Sequence, residues 1–422
     1  MPLSSLLSGN LLIAACLLLA GGLFSKTAWF AELLNLAFIS ETLFYDVQAM
    51  YLLPVIHWAW SREKERVRQL LQAKPLTIAG DGRCDSPGYS AKYGTYTCMD
   101  IASELVDFNL VQVTQASSSV AMEKLGCQEV MKNMKKAGLD VKTMVTDRSP
   151  QVKALMKKTY PTVSHQFDVW HFIKNVCKRI RKAGKKKDCS LLTEWLPAIS
   201  NHFWWSAATC EGNAELLREK WLSVLYHIVN RHSWAGAVLF KKCAHRTLTR
   251  AEKKKKKWLT VSSPAYKALE GIVEDKKILK DLKHLSGFWH TGFLEVYHNV
   301  MLKYCPKREH FSFEVMNARA QLTALDHNHN VGRKQAKRSD GQLRYTIVYP
   351  KQKNDWLARP VYEKKSYGYL QDMLNDCVRY TEGDLQVPAL PSISLPANIA
   401  KKDAPPKKEL VAKLTSRMGK SK

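Results

Sequence analysis

The sequence predicts an α/β fold: a mixed β-sheet with a helical region before it and a large all-helical insertion within it. Three observations carry this. Between residues 74 and 180, short β-prone segments alternate with amphipathic helical ones. Between 181 and 287 the strand signal vanishes, and Trp and Leu dominate. Ahead of residue 74 the chain is apolar and helical, with no period-two alternation.

The helical region, 1–73, ends in a charged stretch, Ser61–Lys74, that Pro75 breaks. Leu76–Asp81 (LTIAGD) is a first strand, Tyr93–Asp100 a second and Leu105–Gln115 a third, with Val106, Phe108, Leu110 and Val113 as apolar positions. Val120–Ala137 follows as a helix with Met122, Leu125, Val130 and Met134 near one face, and Gly138 is placed to stop it. Asp140–Thr146 is a fourth strand. Ser149 and Pro150 then begin a helix, as N-cap and first helical residue, that runs to about Tyr160. Val163–Asp168 is a fifth strand and Val169–Arg181 a further helix. Three consecutive strands pair as an antiparallel meander; strands reached through a helix extend the sheet in parallel. Three strands, helix, strand, helix, strand, helix is the order of the ribonuclease-H-like (RNase-H-like) fold.

Residues 74–180 therefore read as the first part of the core and 181–287 as the insertion. Residues 288–382 read as the second part, with Gly287–Tyr304 leading into a helix, a strand at Tyr345–Tyr349 and a helix at Tyr367–Arg379. The Pro- and Lys-rich tail, 383–422, is expected to be disordered.

An apolar share of 45% and 12 tryptophans in 422 residues exclude a disordered chain. The net charge of +27 comes in blocks, among them Lys178–Lys187 and Lys253–Lys257, and points to a polyanionic partner, most often nucleic acid and sometimes an anionic membrane surface; DNA is the expected partner. The 10 cysteines are scattered without a CxxC pair, which favours reduced thiols in the cytosol or nucleus, and the nucleus is the expected location. Cys243 and His245, with Cys210, lack a clear fourth ligand and read as core thiols, with no metal there. The apolar run Leu11–Phe24 is short for a membrane span and has no basic flank; with the stretch Lys26–Ile39 it reads as two adjacent buried helices, with no membrane partner.

Carboxylates at strand ends are the candidate chemistry. Two-metal phosphodiester chemistry needs several of them around Mg2+ or Mn2+ ions about 4 Å apart, and hard cations take oxygen ligands. Asp81 follows a buried apolar strand between Gly80 and Gly82, which leave room for a metal or a phosphate. Asp147 ends the fourth strand just before a helix. Taken alone, Asp147 is a helix-capping acid and Asp81 a turn residue; as a pair at matching strand ends they read as catalytic.

The string from Gly80 to Asp100, with Val145–Pro150 (VTDRSP) and His165–Asn175 (HQFDVWHFIKN), resembles an animal transposon-derived transposase family. Asn201–Trp205, His290–Asn299 and Phe311–Arg319 look like the same family, so the resemblance runs from about residue 8 to about residue 380. Its members are DDE-type enzymes with an RNase-H-like core, often linked to a THAP zinc module and similar to hAT and P-element transposases. The resemblance implies that Asp81, Asp147 and Glu295 are the catalytic, metal-holding acids and that the helical insertion lies between the second and third. Asp168-Val-Trp-His171 looks like the (C/D)xxH motif, which places Asp168 and His171 just outside the metal ligands. No THAP-type Cys/His module stands in the sequence, so a truncated or domesticated copy is expected.

Glu295 also passes a check on its own residues. Leu294, Tyr297, Met301 and Tyr304 form an apolar helical stripe, and Glu295 borders it. Glu314 and Asp326 are the substitutes for the third acid. Arg83, Lys178, Arg179, Lys185, Lys186 and Lys187 are the expected DNA contacts, and a homo-oligomer assembled on DNA ends is the expected partner arrangement. Two other classes compete: a catalytically silent nucleic-acid-binding derivative, distinguished by metal-dependent cleavage, and a membrane-anchored basic protein, distinguished by fractionation.

Overall fold

The computed structural model describes residues 7–87, 90–351, 353–392, 395–396 and 403–414. Four helices open it: α1 (Ser8–Leu19), α2 (Phe24–Leu33), α3 (Glu41–Val47) and, after a π-turn at Gln48–Leu52, α4 (Leu53–Leu71). The sheet begins directly with β1 (Pro75–Cys84), β2 (Tyr93–Asp100) and β3 (Val106–Gln112), followed by α5 (Ser119–Lys136), β4 (Asp140–Thr146), α6 (Pro150–Thr159), β5 (Ser164–Phe167) and α7 (Val169–Gly184). The strand order is β3-β2-β1-β4-β5. The first three strands pair antiparallel, and β1–β4 and β4–β5 pair parallel. This is the mixed sheet of the RNase-H-like fold, as the sequence predicted.

Alternation along the strands fills both faces. Ile78, Cys98 and Met144 pack under α5 and α6 with Cys127, Val130, Met131 and Leu155. Ala79, Met99, Phe108 and Val145 face the other side and join α1, α4 and two later helices, α14 (Gly292–Tyr304) and α15 (Phe313–Asn328). The predicted stripe of Leu294, Tyr297, Met301 and Tyr304 is wholly buried there.

The N-terminal helices belong to this second core. Gly21, at φ +82°, turns the chain between α1 and α2 so tightly that a Cβ would lie 2.6 Å from the Lys303 carbonyl oxygen. The buried Arg319 donates to the carbonyls of Tyr304 (2.9 Å) and Gly22 (2.7 Å), fastening that turn to α14. Of the two, α1 packs into the core, whereas α2 buries Ala31 alone and exposes Trp29, Phe30 and Leu33, against the expectation of two buried helices. Among the described residues no helix is long and apolar enough to cross a membrane.

Six helices make up the insertion: α8 (Leu191–Ala208), α9 (Ala214–Leu222), α10 (Val224–His227), α11 (Arg250–Lys255), α12 (Pro264–Val273) and α13 (Lys276–Asp281). They enclose a separate core around Trp221, Phe203 and Ile199. Helix α7 leads into it, burying Phe172, Ile173, Val176 and Ile180 at helical spacing. Asp281 at the end of α13 pairs with both Arg148 (2.5 Å) and Lys153 on the sheet side, and Asp275 pairs with Arg179 at 2.8 Å. The insertion is thereby clamped to the loop that follows β4.

Beyond α15, β6 (Tyr345–Val348) and β7 (Leu357–Pro360) form a two-stranded ribbon separate from the main sheet, and α16 (Gly368–Glu382) packs back on α1 and α4. In the tail a short helix, α17 (Lys407–Ala412), forms where disorder was expected. Residues 393–394, 397–402 and 415–422 of that expectation lie outside the described residues.

Candidate active site

Register brings the two aspartates together. Ala79 on β1 is opposite Val145 on β4, the last pairing given between these parallel strands. Asp81 and Asp147 each lie two residues further on, so both stand just beyond the end of that ladder. Asp81 is not at the end of its strand, as LTIAGD suggested: β1 continues to Cys84, paired with β2. The GDG string is thus strand and not turn, and its glycines serve close approach. A Cβ on Gly80 would meet the Tyr96 hydroxyl at 2.6 Å, and one on Gly82 would meet Cγ of Glu123 at 2.9 Å. Asp147 also caps: its Oδ1 accepts from the Ser149 amide (2.9 Å), while the Ser149 side chain makes no capping bond.

Glu123, which the sequence reading passed over, comes from α5 across Gly82, and its Oε2 is 3.5 Å from the Ser149 hydroxyl. On the opposite side α14 supplies Glu295 and His298, three residues apart on one helix face. His298 Nδ1 lies 3.5 Å from Asp81 Oδ2, and Glu295 Oε1 lies 3.8 Å from His171 Nε2.

The charges of this group act on one another. The Asp81 carboxyl is pushed up to about 7, first by burial, then by the negative charge of Asp147, with Glu295 adding to it. The Gly82 amide and the His171 charge pull it down by less. Glu123 is likewise raised to about 7 by burial, then by Asp147 and Asp81. His298 is driven down to about 4 by burial and by Arg83 and Lys307, so it is neutral beside Asp81. The acids are close enough to be coupled, but they do not gather into a compact ligand cluster; among the described residues that degree of closure is found in the insertion.

Asp168 holds the frame. It is 1% exposed and caps α7, accepting from the His171 amide (2.5 Å) and His171 Nδ1 (3.1 Å). Its other oxygen accepts from the Thr291 amide (2.6 Å) and hydroxyl (2.9 Å), at the start of α14. Burial alone would raise its carboxyl; these hydrogen bonds outweigh burial and hold it low. The bond to Asp168 in turn raises His171, with the charges of Asp81 and Asp147 adding. One buried carboxylate therefore joins the two ends of the insertion and sets the positions of His171 and of the helix bearing Glu295. Asp168→Ala is expected to cost on the order of 3 kcal/mol, from a lost cap and stranded donors. Urea unfolding checks this; a loss below about 1 kcal/mol would show that the clasp is dispensable.

The remaining expected residues divide. Lys178, Lys185, Lys186 and Lys187 are exposed on and beyond α7. Arg179 is exposed but committed to Asp275. Arg83 is a correction: it is buried at 7% exposure and donates to the Cys305 carbonyl at 2.9 Å, so it faces the interior and not a DNA strand. Of the substitutes for the third acid, Asp326 is fully buried between Lys365 (2.7 Å) and Lys303 (3.4 Å), and Glu314 lies beside Tyr93.

Over residues 107–246 the chain matches the Mutator-like transposase family. That stretch holds Asp147, Glu123 and the Asp168–His171 string, while Asp81 and Glu295 lie outside it. Together with the RNase-H-like sheet, the match supports a transposase-like protein. No curated protein matches the chain.

Proposed function

We propose that this protein is a DDE-type nuclease and strand transferase of transposon origin, acting on DNA phosphodiesters. One observation supports this above the rest: Asp81 and Asp147 share a register at the end of the sheet, where burial, and then the negative charge crowded there, raises the Asp81 and Glu123 carboxyls to about 7. Such crowding is costly unless a cation relieves it. Hard oxygen donors of this kind suit Mg2+ or Mn2+, with Asp81, Asp147 and Glu295 as ligands and Glu123 as a fourth carboxylate. When bound, such ions activate the attacking hydroxyl and stabilise the departing oxygen.

The chain's other residues have distinct tasks. His171, its proton favoured by Asp168, is an ion-pair partner for Glu295 at 3.8 Å and can donate to a phosphate oxygen. Neutral His298 keeps its Nδ1 at Asp81 without adding charge. Trp170, 38% exposed between Asp168 and His171 with Lys174 4.0 Å above its ring, offers a face on which an unpaired base can stack. The exposed lysines of α7 lie on the same helix and suit the phosphate backbone.

The test is cleavage of a DNA duplex by wild type and Asp147→Asn, with Mg2+, Mn2+ or EDTA. Metal-dependent cleavage by wild type alone is expected. Cleavage that survives EDTA, or equal cleavage by both proteins, would overturn the proposal. DNA binding by the wild type without cleavage on any substrate would favour the silent DNA-binding derivative.

A further inference from the structure

We propose that His227, His232, Cys243 and His245 bind a structural zinc ion in the helical insertion. The four side chains close on one point: one ligand atom from each lies within 4.8 Å of those of the other three. The shorter separations are 3.5 Å from Cys243 Sγ to His227 Nδ1, 3.5 Å to His232 Nδ1, and 3.4 Å from His245 Nε2 to His227 Nδ1. Tetrahedral zinc, with bonds of about 2.05 Å to nitrogen and about 2.3 Å to sulfur, sets ligand nitrogens about 3.35 Å apart and nitrogen and sulfur about 3.55 Å apart. The three rings stand edge-on around the same point, with centroids 5.0–5.2 Å apart and interplanar angles of 72–85°.

The outer nitrogens show which way the lone pairs face. His245 Nδ1 lies 2.6 Å from the Arg246 carbonyl oxygen, which can only accept, so Nδ1 carries the proton and Nε2 presents its lone pair inward. His232 Nε2 donates to Asn230 Oδ1 at 3.0 Å, which leaves Nδ1 as an inward lone pair. These are the outer-shell contacts that orient ligating histidines. Without a metal, the protons of Cys243 and His227 serve at most two of the contacts among the four atoms; a cation engages all four. A mixed nitrogen and sulfur set selects zinc over the hard cations proposed for the acidic site.

The site also explains how an otherwise weakly held segment keeps its shape. Between His227 and Arg250 the chain forms no helix or strand, only an isolated bridge between Ser233 and Lys242. Irregular segments this long are uncommon in compact domains unless something fixes them. The ion would tie helix α10, through His227, to both arms of the segment, through His232 on one side and Cys243 and His245 on the other. It would also fix one wall of an apolar cavity of about 440 Å³ lined by Trp195, Trp205, Phe240 and Ile199. Cys210, grouped with Cys243 and His245 from the sequence, is not a ligand: it is buried elsewhere, its thiol 3.4 Å from the Ser286 carbonyl oxygen.

The experiment uses the full chain, expressed with zinc and purified under reducing conditions without chelator. Mass spectrometry of the metal content is expected to find stoichiometric zinc. Exchange with Co2+ is expected to give a thiolate-to-cobalt charge-transfer band and the intense visible bands of a tetrahedral site. Cys243→Ala and His232→Ala should each reduce zinc to background, and Cys16→Ser, at an exposed cysteine away from the cluster, should retain it. Should either ligand variant fail to fold, the wild-type cobalt spectrum and chelation decide alone: removing the metal should open 228–249 to limited proteolysis. Soluble wild type that takes up neither zinc nor cobalt would overturn the proposal. So would Cys243→Ala that retains the charge-transfer band, or chelation that leaves 228–249 as resistant as before. Metal held only at the acidic site would give no thiolate band, so the readout does not depend on nuclease activity.

Discussion

Asp81→Asn is expected to reduce metal-dependent cleavage by at least about three orders of magnitude, a barrier increase of about 4 kcal/mol, while DNA affinity changes little. Asparagine keeps the size of the side chain and the oxygen that accepts from the Gly82 amide at 2.8 Å. What it removes is one negative charge at the point where Asp147, Glu123 and Glu295 already act. The substitution is nearly isosteric, so loss of activity with a native unfolding curve reports on charge and not on shape. Binding is expected to rest on exposed lysines such as Lys178 and Lys185–Lys187, on and beyond α7, which the exchange leaves in place. A titration at fixed salt beside the cleavage assay separates the two effects. Retained cleavage in Asp81→Asn would remove this residue from the catalytic set. A parallel loss of binding would place Asp81 in the scaffold.

Much of this site was legible in the sequence, for reasons particular residues make plain. Strands β2 and β4 have the predicted bounds because their alternation is framed by turn residues. The coupling of Asp81 to Asp147 follows from strand order alone once β1 and β4 are parallel. The extension of β1 through Gly82, Arg83 and Cys84 was hidden, because glycines beside an aspartate signal a turn; pairing with Gly94, Thr95 and Tyr96 overrides that local signal. Glu123 was hidden for a related reason. It occupies an ordinary polar position on an amphipathic helix, and only the missing Cβ of Gly82 lets α5 lie close enough to deliver it. Helix α15 was missed because it is buried on nearly every face, Arg319 and Asp326 included, and so carries no amphipathic period. Arg83 looked like a DNA contact because charge is read from sequence without depth. The ligand set in the insertion needed tertiary structure, since His227 and Cys243 are brought together by a loop with no secondary-structure signal of its own.

The crowded carboxylates also make a prediction about stability. A carboxyl whose proton affinity rises on folding stabilises the native state while it is protonated; that contribution is complete below the unfolded pKa of about 4 and is lost as pH rises through the folded value. Asp81 and Glu123 both titrate at about 7 in the fold. The metal-free protein should therefore lose stability at this site between about pH 4 and about pH 7, and neutral replacements should escape the loss. Asp81→Asn with Glu123→Gln is expected to exceed wild type in urea-unfolding stability by on the order of 2 kcal/mol at pH 8, and by little at pH 4. That figure is below the full displacement of the two groups, because Asp81 keeps partial contact with water. Acids held low by their partners, among them Asp168, Asp281 and Asp326, titrate in the opposite sense but are common to both proteins, so they cancel in the difference. Saturating Mg2+ should reverse the order at pH 8, since a cation that binds only the folded acids adds about 2.7 kcal/mol at a hundredfold excess over Kd and has little to hold in the double variant. Unfolding curves at pH 4 and pH 8, with EDTA or Mg2+, read all of these terms. A double variant less stable than wild type at pH 8 in EDTA would mean that the acids are not in conflict. An equal Mg2+ response in both proteins would place the cation elsewhere.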